Sequence, residues 1–138
     1  MPNQVTVFLE NEKGRLAAMC KTLANANINL SALTVADTAS YGVARLLVDK
    51  PDEAIQSLLA EGYRAKLTDV SAVEIPNVPG SLATLLEAFD NAGINLEYAY
   101  CFASGADTVV VVFRVEKIDG ISEIVEQLSF KLLRSEDL

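Results

Sequence analysis

The sequence predicts an α+β fold in which one βαββαβ unit occurs twice in tandem, and three observations carry that reading. Laid on itself with an offset of 66, the chain aligns Val7 with Val73, Asn11 with Asn77, Gly14 with Gly80, Leu16 with Leu82 and Ala17 with Ala83, without a gap. The match resumes at Ala26 and Ala92, Ile28 and Ile94, Asn29 and Asn95, Leu30 and Leu96, Ile55 and Ile121, and Leu67 and Leu133, which marks an internal duplication in a single register. Each copy then alternates short β-branched runs with stretches whose apolar residues recur at helical spacing. Finally, 51% of the 138 residues are apolar, enough for a folded body. Bodies of about 70 residues are marginal alone, so the two copies are expected to share an interface.

The elements follow in order. Val5 to Leu9 and Ser71 to Ile75 are the first strands, each followed by a glycine turn. Leu16, Met19, Cys20, Leu23 and Ala24 mark a helix over about 14 to 26, and Leu82, Leu85, Leu86 and Phe89 mark its counterpart over about 80 to 92. Gly93 suits a left-handed helix stop, and Asn27 holds the same place in the first copy at more conformational cost. Strands are expected at Leu30 to Ala36 and Val43 to Val48, and at Leu96 to Ala103 and Thr108 to Val115, joined by polar turns with Ser40 and Gly42 or Ser104 to Asp107. Pro51, Ile55, Leu58 and Leu59 give a second helix, matched by Ile118, Ile121, Ile124, Val125 and Leu128. The last strand is short: Arg64 to Val70 closes the first copy, and Lys131 to Leu138 is the corresponding but frayed-looking tail. The order βαββαβ, twice, describes a ferredoxin-like sandwich with two helices on one face of a four-stranded antiparallel sheet, the domains spanning 1–69 and 70–138. Strands such as Val109 to Phe113 are apolar on both faces, so the two units are expected to pack together.

Composition narrows the function. The chain contains no histidine, which removes the usual base of nucleophilic triads and most catalytic zinc sets. Cys20 and Cys101 have no CxxC spacing and no secretory leader precedes them, a usage suited to the cytoplasm. Each is expected to serve packing. A formal charge of −8 opposes nucleic acid as a partner, and no apolar run is long enough to span a membrane. The charge is uneven: residues 1–69 carry 7 basic and 8 acidic groups, residues 70–138 carry 4 and 11. Asp37, Asp49, Asp52 and Glu53 are poorly arranged for metal binding and read as a solvated edge and favourable charges at a helix start.

The informative segments are Asn11-Glu12-Lys13-Gly14-Arg15-Leu16-Ala17 and Asn77-Val78-Pro79-Gly80-Ser81-Leu82-Ala83, each between a first strand and a first helix. With Asn27-Ile28-Asn29-Leu30 and Gly93-Ile94-Asn95-Leu96 after the helices, they resemble the ACT domain family, small regulatory modules that bind amino acids. The second copy is the closer match, since Lys13 replaces the proline in the first. The chemistry of such a turn is simple. Glycine lets a ligand approach the backbone, and the first-turn amides at Arg15-Leu16 or Ser81-Leu82 can receive a carboxylate. Asn11, Asn77, Asn29 and Asn95 offer amide oxygens for an ammonium group. The resemblance implies a ligand between the glycine turn of one unit and a strand edge of its neighbour. This assigns ligand binding to Asn11, Gly14, Arg15, Leu16, Asn29, Asn77, Gly80, Ser81, Leu82 and Asn95.

Structural roles stand beside these. The glycines also suit a tight turn alone, the asparagines also suit local caps, and Arg15 is either a carboxylate fork or a solvated surface group. Leu33, Thr34, Ala99 and Tyr100 are candidates for specificity, and the two-residue spacing of Tyr98 and Tyr100 puts both on one sheet face. The expected function is a regulatory protein without catalytic activity or cofactor, a homodimer sensing a free L-amino acid and acting on itself or on an enzyme of amino acid metabolism. The alternatives are a module kept only for protein association and, less well supported, a small enzyme on the same fold.

Overall fold

A computed structural model describes residues 1–10, 12–37 and 41–138. The chain divides into two compact units: a first of residues 3–68, and a second of residues 69–138 together with Met1 and Pro2. The N-terminal pair belongs to the second unit through hydrogen bonds from the Val70 amide to the Pro2 carbonyl (3.1 Å) and from Ser135 Oγ to the Met1 carbonyl (3.0 Å).

The first unit runs β1 (Asn3–Glu10), α1 (Arg15–Asn25), β2 (Leu30–Asp37), β3 (Tyr41–Val48), α2 (Pro51–Ala60) and β4 (Arg64–Asp69), with sheet order β2-β3-β1-β4. The second runs β5 (Ser71–Pro76), α3 (Ser81–Asn91), β6 (Leu96–Ala103), β7 (Thr108–Val115), α4 (Ile121–Gln127) and β8 (Lys131–Leu132), with order β6-β7-β5-β8. Each is the ferredoxin-like βαββαβ unit. The tail is as short as its sequence suggests: β8 has two residues and a single 3-10 turn at Ser135–Asp137 ends the chain.

Alternation along the strands and four-residue spacing along the helices select one core per unit. In the first, Val5, Val7 and Leu9 of β1 and Ala44 and Leu46 of β3 meet Met19 and Leu23 of α1 and Ala54 and Leu58 of α2. In the second, Val73, Ile75, Val111, Phe113 and Val115 meet Leu85, Phe89, Ile121 and Val125, with the Phe89 and Phe113 rings 5.2 Å apart. Ile118, expected on the apolar face of α4, lies before that helix and is exposed, because Gly120, at φ 86°, starts the helix only at Ile121. Across the other face of the first sheet, buried Gln4 donates to Thr6 Oγ1 at 3.0 Å, and Thr6 and Thr68 share a hydroxyl bond of 2.8 Å.

Strand pairing corrects the single register read from the sequence. Val7 pairs with Ala44, and Val73, its counterpart at an offset of 66, pairs with Val111; from β3 onward the copies are therefore related by 67. One extra residue in the second hairpin accounts for this. The shift re-pairs Ala54 with Ile121 and Leu58 with Val125, all buried, in place of Ile55 with Ile121.

The four helices among the described residues end in one way. Asn27 (φ 59°), Gly62 (84°), Gly93 (73°) and Ser129 (59°) take the left-handed conformation. The amide of the apolar residue that follows each, at Ile28, Tyr63, Ile94 and Phe130, bonds back to Leu23, Leu58, Phe89 and Val125 at 2.9–3.1 Å. These are Schellman caps, and the apolar residue closes over the helix end.

Candidate functional site

The two glycine turns sit at equivalent places, between β1 and α1 and between β5 and α3. Gly14 has φ 86° and Gly80 φ 93°, conformations that side chains with a Cβ adopt only at a cost. An added Cβ would meet nothing within 4 Å at either position, so backbone shape requires glycine there and the space in front is open. Among the described residues neither helix has a side-chain cap at this end. The Arg15 amide donates to the Glu12 carbonyl and the Ser81 amide to that of Val78, both at 3.3 Å, and the intrahelical bonding resumes with Ala18 to Gly14 and Thr84 to Gly80. Between them, Leu16 and Ala17, and Leu82 and Ala83, occupy first-turn positions whose amides have no acceptor inside a helix. Such a pair of amides at the positive end of a helix is suited to a carboxylate.

Of the expected site residues, each unit gathers only part. Gly14, Arg15 and Leu16 lie together, as do Asn77, Gly80, Ser81 and Leu82; Asn11 lies outside the described residues. Asn77 is exposed, and its amide extends the β5–β7 ladder to the Asp107 carbonyl at 2.8 Å. Asn29 and Asn95 stand at the other end of their sheets, since α1 and α3, 11 residues each, carry the chain about 16 Å before β2 and β6 begin. There, the Asn29 amide donates to Asp49 Oδ1 at 3.0 Å and the Asp49 amide to the Asn29 carbonyl at 3.2 Å, a reciprocal latch. Asn95 lines a hollow of about 320 Å³ with Gly93, Glu116 and Lys117. Arg15 is half-buried, with its Cζ 5.2 Å from the Tyr63 ring centroid and its Nε buried without a hydrogen-bond partner among the described residues.

The edge strands settle the facing of the specificity candidates. Leu33 and Ala99 stand opposite core residues Leu46 and Phe113, on the helix side of their sheets, yet are exposed because β2 and β6 are edge strands beyond the helical cover. Thr34, opposite Arg45, and Tyr100, opposite Val112, lie on the reverse face, which Tyr98 shares. Cys101 corrects an expectation: it is exposed beside Val111 rather than packed, for the same reason, while neighbouring atoms desolvate its thiol enough to raise its pKa. Cys20 packs against the first core. Asp52 and Glu53 occupy the first turn of α2, and among the described residues no group of three or more His, Cys, Asp or Glu is placed to hold a metal. No helix among them is long and apolar enough to cross a membrane.

Comparison with known proteins agrees with this architecture. A model of the ACT domain pair matches residues 2–138. A structure from Bacteroides thetaiotaomicron is 38% identical, covers 99% of this chain and 94% of its own, and superposes with a TM-score of 0.91. Regulatory subunits of aspartate kinase from Thermus thermophilus, in ligand-free form, and Thermus flavus are similar at 24% and 23% identity, with TM-scores of 0.69 and 0.64, covering 91% of this chain and 91% and 90% of theirs. At these identities the likeness to the kinase subunits is one of fold. No curated protein matches the chain. With a tandem pair of βαββαβ units, a left-handed glycine turn in each and the family model spanning both, the chain belongs to the ACT domain family as an ACT domain pair.

Proposed function

We propose that the chain is a non-catalytic regulator whose two ACT domains, residues 1–69 and 70–138, bind a free L-amino acid at their glycine turns. The observation that carries this reading is the pair of open left-handed turns, Gly14 and Gly80, each presenting two first-turn amides without an intrahelical acceptor. The carboxylate is held at Leu16 and Ala17 or at Leu82 and Ala83, with Ser81 beside the second turn. Asn29 and Asn95, remote from the turn of their own unit, serve a ligand held at the turn of a second copy of the chain. A ligand bridging two chains binds their associated form better than the separated form and shifts that equilibrium by the difference. The output is therefore association, as a cytoplasmic homodimer or with a separate enzyme of amino acid metabolism. The regulatory subunits of aspartate kinase from Thermus are the precedent for a regulatory role on this fold.

Thermal melting of the full chain against each of the 20 amino acids tests the proposal. One amino acid, or one chemical group of them, is expected to raise the melting temperature with saturation, as a ligand at 100 times its Kd adds about 2.7 kcal/mol. Gly14→Leu and Gly80→Leu place a side chain in the open approach, and the increment, measured against each variant's own ligand-free melt, is expected to shrink. A flat panel favours a module kept for protein association alone.

A further inference from the structure

Apart from ligand binding, we infer that the second unit carries a site of spontaneous backbone isomerisation at Asp119-Gly120, where the turn into α4 converts aspartate to isoaspartate. Gly120 is the only glycine in the sequence that follows an aspartate or an asparagine. The Ile121 amide donates to the Ile118 carbonyl at 3.2 Å, and Gly120 has φ 86° and ψ −7°, so Asp119 and Gly120 are the central pair of a type II turn. This turn leaves both reacting groups free. The Asp119 carboxylate is exposed and takes part in no hydrogen bond or ion pair among the described residues, and the Gly120 amide donates to no acceptor there. Gly120 carries no side chain, and a Cβ built on it would meet nothing within 4 Å, so the space beside the reacting nitrogen is open. Since the two groups belong to adjacent residues, attack is intramolecular. The Gly120 nitrogen gives its proton to water and bonds to the side-chain carboxyl carbon of Asp119, while one carboxyl oxygen leaves as water and a succinimide closes. Water then opens the ring at either carbonyl. Cleavage of the new bond restores aspartate. Cleavage of the original peptide bond leaves the main chain running through the side-chain carbon as isoaspartate, with the former main-chain carbonyl freed as a carboxylate. One water leaves and one enters, so no other reactant is needed.

The same turn elsewhere in the chain separates this chemistry from the needs of the fold. At Gly14 and Gly80, with φ 86° and 93°, the Arg15 and Ser81 amides make the bond that Ile121 makes here. Lys13 and Pro79 hold the place of Asp119 in those turns, so the turn requires the glycine and not the aspartate. Other aspartates lack the combination. Asp49 and Asp137 accept amide bonds from Asn29 and Arg134, and Asp52 and Asp90 lie in α2 and α3. Asp37, Asp69 and Asp107 precede the β-branched Thr38, Val70 and Thr108, whose side chains crowd the amide that would attack. Asp119 also lines the hollow shared by Asn95 and Lys117, so an added methylene in the main chain at this corner alters both the start of α4 and the rim of that hollow.

Incubation of the full chain at neutral pH and physiological temperature in water enriched in oxygen-18, followed by trypsin digestion in ordinary water, tests the site. Cleavage after Lys117 and Lys131 isolates residues 118–131, in which Asp119 is the only aspartate. The expected product is this peptide with one heavy oxygen, co-eluting with a synthetic isoaspartyl standard. Its rate of formation is expected to lie within about tenfold of that in the free synthetic peptide 118–131, a barrier difference of about 1.4 kcal/mol. Asp119→Glu keeps the charge and the glycine but must close a larger, slower-forming ring, and is expected to give no labelled isomer. A rate more than about tenfold below that of the free peptide overturns the assignment. So does a labelled isomer that persists in Asp119→Glu, or isoaspartate that appears as fast at another aspartate of the chain. The comparison of the unsubstituted chain with the free peptide decides the matter alone should Asp119→Glu fail to fold.

Discussion

The first and second units share a backbone plan and differ in what they place on it. Both turn at a left-handed glycine, both close each helix with a Schellman cap, and both fill the core from helix positions four apart. Yet Leu23 and Leu46 in the first core become the tilted pair Phe89 and Phe113 in the second, and the aromatic and cationic end around Arg15 becomes Ser81, Thr108 and the opposed Glu74 and Lys131. The lesson is that after duplication, turn and cap geometry is held by the backbone, core composition is free within volume, and the end facing solvent can diverge completely.

The largest effect expected from this comparison is in the cores. Phe89→Ala removes a fully buried ring from the Phe113 contact and is expected to cost about 3–5 kcal/mol, against about 2–5 kcal/mol for Leu23→Ala at the equivalent place, measured by chemical denaturation. A Phe89→Ala cost under about 1 kcal/mol would show that the pair is not the keystone of the second core. Next come the turns. Gly14→Ala and Gly80→Ala meet no steric obstacle, so each is expected to cost only the left-handed penalty of about 1–2 kcal/mol, equal in the two units. Unequal costs would break the equivalence of the turns. Asp49→Ala removes the acceptor of the Asn29 amide and is expected to cost about 0.5–1.5 kcal/mol.

The smallest effect concerns Cys101. Desolvation raises its pKa above the ordinary 9.0, so alkylation by iodoacetamide, followed residue by residue, is expected to reach half its maximal rate above pH 9.0. Since the folded state holds this proton more tightly than the unfolded chain, its contribution to stability falls as pH rises beyond the unfolded value. An alkylation midpoint below 8 would contradict the desolvated placement on β6.

Much of this plan was legible in the sequence because it follows from local rules. The glycine turns, the left-handed stops at Asn27 and Gly93, Pro51 at the first position of α2 and the strands Leu96 to Ala103 and Thr108 to Val115 stand where residue chemistry put them. What escaped was non-local. The extra hairpin residue is invisible to a gapless self-alignment because Ile55 and Ile121 match in type by coincidence, and only strand pairing exposes the shift. The exposure of Cys101 depends on β6 being an edge strand, a property of strand order. Arg15 read from the sequence as a carboxylate fork or a surface group, and its place over the Tyr63 ring depends on the distant end of α2.

The central claim is that an amino acid is bound at the glycine turns, and an amide-resolved NMR titration of the full chain tests it most directly. With the amino acid that most raises the melting temperature, saturable shifts are predicted at Leu16 and Ala17, at Leu82 and Ala83, or at both pairs. A titration that saturates while leaving all four of these amides unmoved would contradict the account.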